Sequence, residues 1–171
     1  MMNIQPLDKN FHDRTNFDCN EPSLNKYLQT IARQHDALDL SRTFVMTTDK
    51  DDPNIIGYYT LTTCHIDISS VPESLRKKYS PQGIQGALIG RLAINKNNQN
   101  QGLGTNLLMD AMNRIVQSSF GIPYPLIVID PKNSRVKEFY REFGFEEISP
   151  GDNRMYIRLS EVKAHFEQLE Q

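Results

Sequence analysis

The sequence predicts an α/β (α+β) fold: a mixed central sheet of six to seven strands, flanked by helices on both faces. Three observations carry that expectation. The runs ALIGRLAI (residues 87–94) and LIVID (126–130) are apolar almost throughout, as strands covered on both faces are, and each leads into a segment of helical spacing. Upstream, TFVMTT (43–48) and IIGYYTLTT (55–63) are rich in β-branched and aromatic residues and flank the turn-like DKDDPN, which reads as a β-hairpin. Two further strand-like segments, 145–148 and 154–159, close the sheet and give it antiparallel as well as parallel neighbours. With 171 residues, the chain is expected to be a single domain, 1–171.

In order, an opening strand precedes a helix that begins near Asn20, a good N-cap, with Pro22 in its first turn. Leu24, Tyr27, Leu28 and Ile31 fall at helical spacing, so one face of that helix must be buried. The hairpin follows. Tyr58 and Tyr59 alternate across its second strand, so one faces the core and the other can border a site on the opposite face. The Pro- and Gly-containing stretch 69–86 is a long connection or a lid. Strand 87–94 then opens through the polar loop NKNNQNQGLG into helix 105–120, where Leu108, Ala111, Met112 and Ile115 recur with a period of 3.6. After strand 126–130, a helix over 134–143 can be terminated by Gly144 in left-handed geometry. A polar helix or tail follows Ser160.

Hydrophobic residues make up 38% of the chain and charged residues 23%, which excludes collagen, low-complexity disorder and a long coiled coil. Nineteen Lys and Arg against 21 Asp and Glu leave a net charge of −2, so no global basic field points to nucleic acid, and no DNA binding of its own is expected. The N-terminal residues lack an apolar core and no apolar run approaches the roughly 20 residues that span a bilayer, so a cytoplasmic location is expected. Cys19 and Cys64 read as free, buried thiols. There is no GxxxxGK run, no GxGxxG after the first strand, no GxSxG elbow and no HExxH, and the four histidines are scattered. A P-loop, a Rossmann dehydrogenase, an α/β-hydrolase and a metal site are therefore not expected.

The informative segment is 99–104, QNQGLG, because it lies between a buried strand and the start of an amphipathic helix. Gly102 and Gly104 let a ligand approach the backbone, while the unpaired N–H groups of the first helical turn and the helix dipole favour an anion. A plain glycine turn is the alternative; the strand–loop–helix setting favours a phosphate or pyrophosphate. On the next helix Phe139 and Phe143, four apart, share a face and read as core, and Tyr140 is rotated about 100° from Phe139. Taken alone, Tyr140 is either a packed tyrosine or a phenol reaching a cleft at the sheet edge. Glu138 and Glu142, interleaved with Lys137 and Arg141, read as a solvated face.

These residues resemble the GNAT acetyltransferases, whose cofactor loop has a Gln or Arg, two residues, a Gly, one residue and a Gly or Ala; here it is Gln99, Gly102 and Gly104. The likeness extends to the strand RLAI before the loop, to Asn133 and to the FYREFGF block, residues 139–145. Within the family the chain is most similar to the acetyltransferase toxins of bacterial toxin–antitoxin modules, through FDC (17–19), SRTFV (41–45), GYYTL (57–61) and GRLAI (90–94). Asn20 stands where a glycine is usual, and the acidic balance departs from that of a tRNA-binding member.

The resemblance implies acetyl-CoA as cosubstrate. Its pantetheine arm would run along the backbone of Leu92, Ala93 and Ile94, and its pyrophosphate would lie in the loop formed by Gln99, Asn100, Gln101, Gly102, Leu103, Gly104 and Thr105, with Asn133 as a further hydrogen-bonding partner. Tyr140 matches the tyrosine that returns a proton to the departing CoA thiolate. The implied acceptor is the amino group of aminoacyl-tRNA, with Arg42, Tyr58 and Arg91 as candidate substrate residues. An antitoxin protein and a homodimer are implied partners. A small-molecule or protein amine is the alternative acceptor, and a non-catalytic CoA-binding module the alternative of another class. No general base is evident, which favours an α-amine over lysine: at pH 7 a neutral amine of pKa about 7.7–8.0 is far cheaper than one of about 10.4.

Overall fold

The computed structural model describes residues 1–79 and 81–170. Its strands are β1 (Asn3–Pro6), β2 (Arg42–Thr47), β3 (Gly57–Ile66), β4 (Ile84–Ile94), β5 (Leu126–Ile129), β6 (Glu146–Glu147) and β7 (Met155–Arg158). The helices are α1 (Pro22–Lys26), α2 (Ala32–Ala37), α3 (Glu73–Arg76), α4 (Leu103–Ser119), α5 (Ser134–Glu142) and α6 (Leu159–Leu169). The seven strands form one sheet in the order β1-β2-β3-β4-β5-β7-β6. β4 and β5 pair in parallel, whereas β1 with β2, β2 with β3, β5 with β7 and β6 with β7 pair antiparallel. The mixed α/β architecture is thus the expected one, with the opening strand located at residues 3–6.

The chain gathers into two compact units, Met1–Thr62 with Gly90–Ala111, and Thr63–Ile89 with Met112–Gln171. In the first, Phe17, Leu24, Tyr27, Leu28, Val45, Tyr58 and Ala93 form the core. Its helical layer is not the single regular helix that the spacing suggests. Between α1 and α2 the turn Tyr27–Ile31 is π-helical, with the Ala32 N–H donating to the Tyr27 carbonyl. The Tyr58 hydroxyl donates to the Leu24 carbonyl at 2.8 Å, supplying a side-chain donor beside this irregular turn. The N-cap is Glu21 rather than Asn20, and it makes no side-chain cap. Asn20 instead adopts φ 68°, the left-handed region that favours glycine and that asparagine tolerates better than other residues, so the departure at this position keeps the local conformation.

In the second unit Ile66, Val71, Leu75, Ile84, Leu126, Val128, Ile148 and Tyr156 pack together. The stretch expected as a connection or lid holds α3, and Val71 and Leu75 within it are 3% and 0% exposed, which anchors it to this core. Ser80, in the same stretch, lies outside the described residues. Gly144, at φ 93°, ends α5 as expected, while the segments 145–148 and 154–159 shorten to β6 and β7. Leu159–Leu169 form α6.

Candidate active site

The β4–β5 ladder runs from Gly86 opposite Leu126 to Ile89 opposite Ile129. β4 continues as strand for five more residues, 90–94, beyond that ladder. Leu92, Ala93 and Ile94 lie in this extension. Gly57 lets it pack closely: a Cβ there would sit 2.8 Å from Ile94 Cδ1 and 3.1 Å from the Ala93 carbonyl oxygen.

After β4 the chain makes a 3-10 turn, Lys96–Asn98, and reaches the segment 99–105, the loop whose last three residues are already the first turn of α4. Gln99 is the loop's anchor. Its side-chain amide donates to the Ile94 carbonyl at 2.9 Å and to the Cys19 carbonyl at 3.1 Å, so both amide hydrogens are engaged with main chain. Gln99 therefore positions the loop rather than offering its amide to a ligand. Asn100 and Gly102 are both left-handed, at φ 60° and 76°, which curls the backbone twice within three residues. Such turns gather successive N–H groups into a concave anion site. Nothing lies within 4 Å of where a Cβ on Gly102 would be, so glycine is needed there for its φ and for open approach, not for want of space in the fold. Gln101 extends a weak 3.5 Å contact to the Asn97 carbonyl. The buried Leu103 begins α4, followed by Gly104 and Thr105, whose N–H donates to the Gly102 carbonyl at 3.1 Å. A pyrophosphate suits this cradle.

Lys96, at the loop's entry, pairs with Asp18 at 2.8 Å. That bond, with the backbone of Asn20 and the amide of Asn25, holds the Asp18 carboxyl at about 2. The Asp18 turn thereby ties the segment before α1 to the loop's start.

In the second unit, Asn133 caps α5 by accepting from the Val136 N–H at 3.0 Å. Its side-chain oxygen is thus committed to the helix, and only its NH2 is left for a cofactor. Tyr140 is 4% exposed. Its ring meets Phe139 and Phe145 edge-on at 5.2 and 5.9 Å, and its hydroxyl bonds to none of the described residues. Burial alone pushes the phenol's pKa well above its ordinary value near 10. Phe139 and Phe143, expected in the core, are only half-buried and pack edge-to-face against each other at 5.1 Å. The helical phase was right and its rotation was not: Tyr140 holds the inward position.

Three substrate candidates meet different fates. Arg42 is occupied, its guanidinium reaching Asp39 at 2.5 Å and Asp36 at 3.2 Å. Tyr58 is excluded from contact with an acceptor, and the expectation that one of the two hairpin tyrosines lines a site is not met, because both are 0% exposed. β3 is covered on both faces at this point: Tyr58 packs against Phe17 at 5.4 Å, and Tyr59 stacks on Phe44 at 5.2 Å while its hydroxyl donates to Asp110 at 2.5 Å. Arg91 is half-buried, with its guanidinium 3.5 Å from the centre of the Tyr27 ring. Sequence reasoning read Tyr27 only as core, since helical spacing does not reveal the guanidinium that its ring meets. No group of acidic, His or Cys side chains that could hold a metal occurs among the described residues.

The model of the Acetyltransferase (GNAT) family matches residues 9–145. A tRNA-acetylating toxin of Mycobacterium tuberculosis (strain ATCC 25618 / H37Rv) is 34% identical over 140 residues, covering 82% of this chain and 81% of its own. The solved structure of AtaT complexed with acetyl-methionyl-tRNAfMet is similar with a TM-score of 0.88 and 25% identity, over 97% of this chain and 99% of that one. That of AtaTR bound with AcCoA gives 0.83 and 28%, over 96% and 98%.

Proposed function

Because the chain belongs to the GNAT acetyltransferase family, we propose that it is an acetyl-CoA-dependent N-acetyltransferase whose acceptor is the α-amino group of aminoacyl-tRNA, and thereby a toxin-like inhibitor of translation. The observation that carries the acceptor is the likeness, along nearly all of both chains, to an enzyme solved with an acetylated aminoacyl-tRNA. The cofactor reading draws on the strand extension 90–94 beyond the ladder and on the doubly left-handed loop after it. Leu92, Ala93 and Ile94 offer backbone groups to the pantetheine arm, the N–H groups of 100–105 hold the pyrophosphate, and the Asn133 NH2 donates to the cofactor. The neutral amine attacks the thioester carbonyl, the C–N bond forms as the C–S bond breaks, and the Tyr140 hydroxyl gives its proton to the departing sulfur. The amine's own surplus proton passes to solvent, and the Tyr140 phenolate takes one proton back from solvent before the next turnover. No covalent acyl-enzyme is needed.

A buried phenol whose hydroxyl bonds to none of the described residues is suited to that donation, because none of them holds its proton. Burial of the residue raises the phenol's pKa, which keeps it protonated at neutral pH, in the form that can donate. The enzyme would work in the cytoplasm, where both substrates occur; no described helix is long and apolar enough to cross a membrane. A homodimer and a neutralising antitoxin belong to the same reading.

The test is transfer of labelled acetyl from acetyl-CoA into aminoacylated against deacylated tRNA, with free amino acids and polyamines alongside. Label in the aminoacylated pool alone is expected. Label in small amines only would reassign the acceptor, and acetyl-CoA binding without transfer would leave a binding module. Tyr140→Phe should lower the transfer rate by about 10²–10⁴ while acetyl-CoA still binds, the usual worth of a general acid.

A further inference from the structure

We infer that the Arg91 guanidinium is a preset phosphate grip, held by Tyr27, and that it takes a phosphodiester at the 3′ end of the acceptor; this rests on the acceptor reading above. Tyr27 is 2% exposed and its hydroxyl bonds to Ser41 Oγ at 2.8 Å and to His35 Nδ1 at 3.1 Å, so the ring cannot turn. The guanidinium lies on that ring, 3.5 Å from its centre. The stack occupies the face of the fork and leaves its edge donors for a ligand. No carboxylate among the described residues comes within ion-pair reach of Arg91, whereas Arg42, Arg141, Arg154 and Arg158 each have at least one. A half-buried cation without a counter-charge is costly, and an edge presenting paired N–H donors matches a phosphate bidentately.

Position decides which phosphate. Arg91 precedes Ile94 by three residues, about 10 Å at about 3.3 Å per strand residue, on the side away from the loop 99–105. With the pyrophosphate in that loop and the arm running back along Leu92, Ala93 and Ile94, Arg91 stands at the thioester end, where the acceptor arrives. Tyr27 is a positioning residue: it acts through Arg91.

The experiment compares kcat/KM for aminoacyl-tRNA with that for the same aminoacyl group on adenosine, which keeps the ester and ribose but has no phosphate. Arg91→Gln and Tyr27→Leu should each lower the tRNA-to-adenosine ratio at least about tenfold, and Arg91→Gln should flatten the slope of log kcat/KM for tRNA against log salt by about one, as loss of one phosphate contact does. Tyr27→Phe, which keeps the ring, should recover most of the ratio. A thermal shift with acetyl-CoA in each variant shows that fold and cofactor site persist. An unchanged ratio and slope overturn the inference; an unchanged ratio with a raised KM for acetyl-CoA also does so, by giving the phosphate to the cofactor. Failure of the unsubstituted enzyme to acetylate either acceptor would instead bring down the acceptor reading itself.

Discussion

Tyr140 owes its proposed usefulness to where its proton can go. Burial raises its pKa, so the phenol is protonated, and able to act as an acid, throughout the neutral and mildly alkaline range; the raised value moves loss of that proton to still higher pH. The rate should therefore be governed by the acceptor: kcat/KM should climb as an α-amine of pKa about 7.7–8.0 loses its proton and then hold level to about pH 10. A pH–rate profile that turns down near pH 9 would contradict this assignment. His12 shows the opposite sensitivity. It is 5% exposed, its Nδ1 accepts the Asp8 N–H at 2.9 Å, and burial lowers its pKa from 6.5. The unfolded chain thus takes up that proton first, so stability is complete above about pH 6.5 and declines below it. Thermal melts at pH 7.5 and 5.5 should differ more for the natural chain than for His12→Gln.

Among the elements, the loop 99–105 was the most legible from sequence, and the helical segment 22–37 the least. Glycines at 102 and 104 between an apolar strand and an amphipathic helix mark the turn that opens α4, where Gly102 is left-handed. No residue preference announces the π-helical turn Tyr27–Ile31, because it depends on how Tyr27 and Leu28 pack in the core. Likewise the spacing of Phe139, Tyr140 and Phe143 gives their angles about the axis of α5, but not which angle faces inward. The roles of Gln99 and Asn133 were hidden because their bonds to carbonyls and N–H groups exist only in the folded chain. Gln99→Ala would leave the Ile94 and Cys19 carbonyls short of a donor and should cost about 1–3 kcal/mol in a denaturant titration, with weaker acetyl-CoA binding. Gly102→Ala meets no neighbour, so its cost is only that of holding alanine left-handed, about 1–2 kcal/mol by the same titration.

For the molecule as a whole, a net charge of −2 sits uneasily with a polyanionic acceptor until the cations are followed individually. Arg42, Lys77, Lys96, Lys137, Arg141, Arg154 and Arg158 all have carboxylate partners. Pairs such as Lys77 with Glu73, both about three-quarters exposed, are weak at the surface and exchange partners readily. Total charge, the quantity composition reports, conceals this: affinity for RNA depends on which cations are unspent. The fold class, by contrast, was plain from the apolar runs, since burying a strand on both faces leaves it few polar positions.

The course of β4 has a further meaning. Arg91, the backbone at 92–94 and the loop that follows are all borne by one continuous stretch of chain, so their separation is a gauge whose length is fixed by strand rise, not by side chains. Substitution can sharpen or blunt any mark on that gauge, but only insertion or deletion can change the interval between marks. One residue more would move Arg91 by about 3.3 Å and reverse the face it occupies. A cofactor of constant length can be measured in this way, and diversification of acceptors would have to come from the surfaces around the gauge.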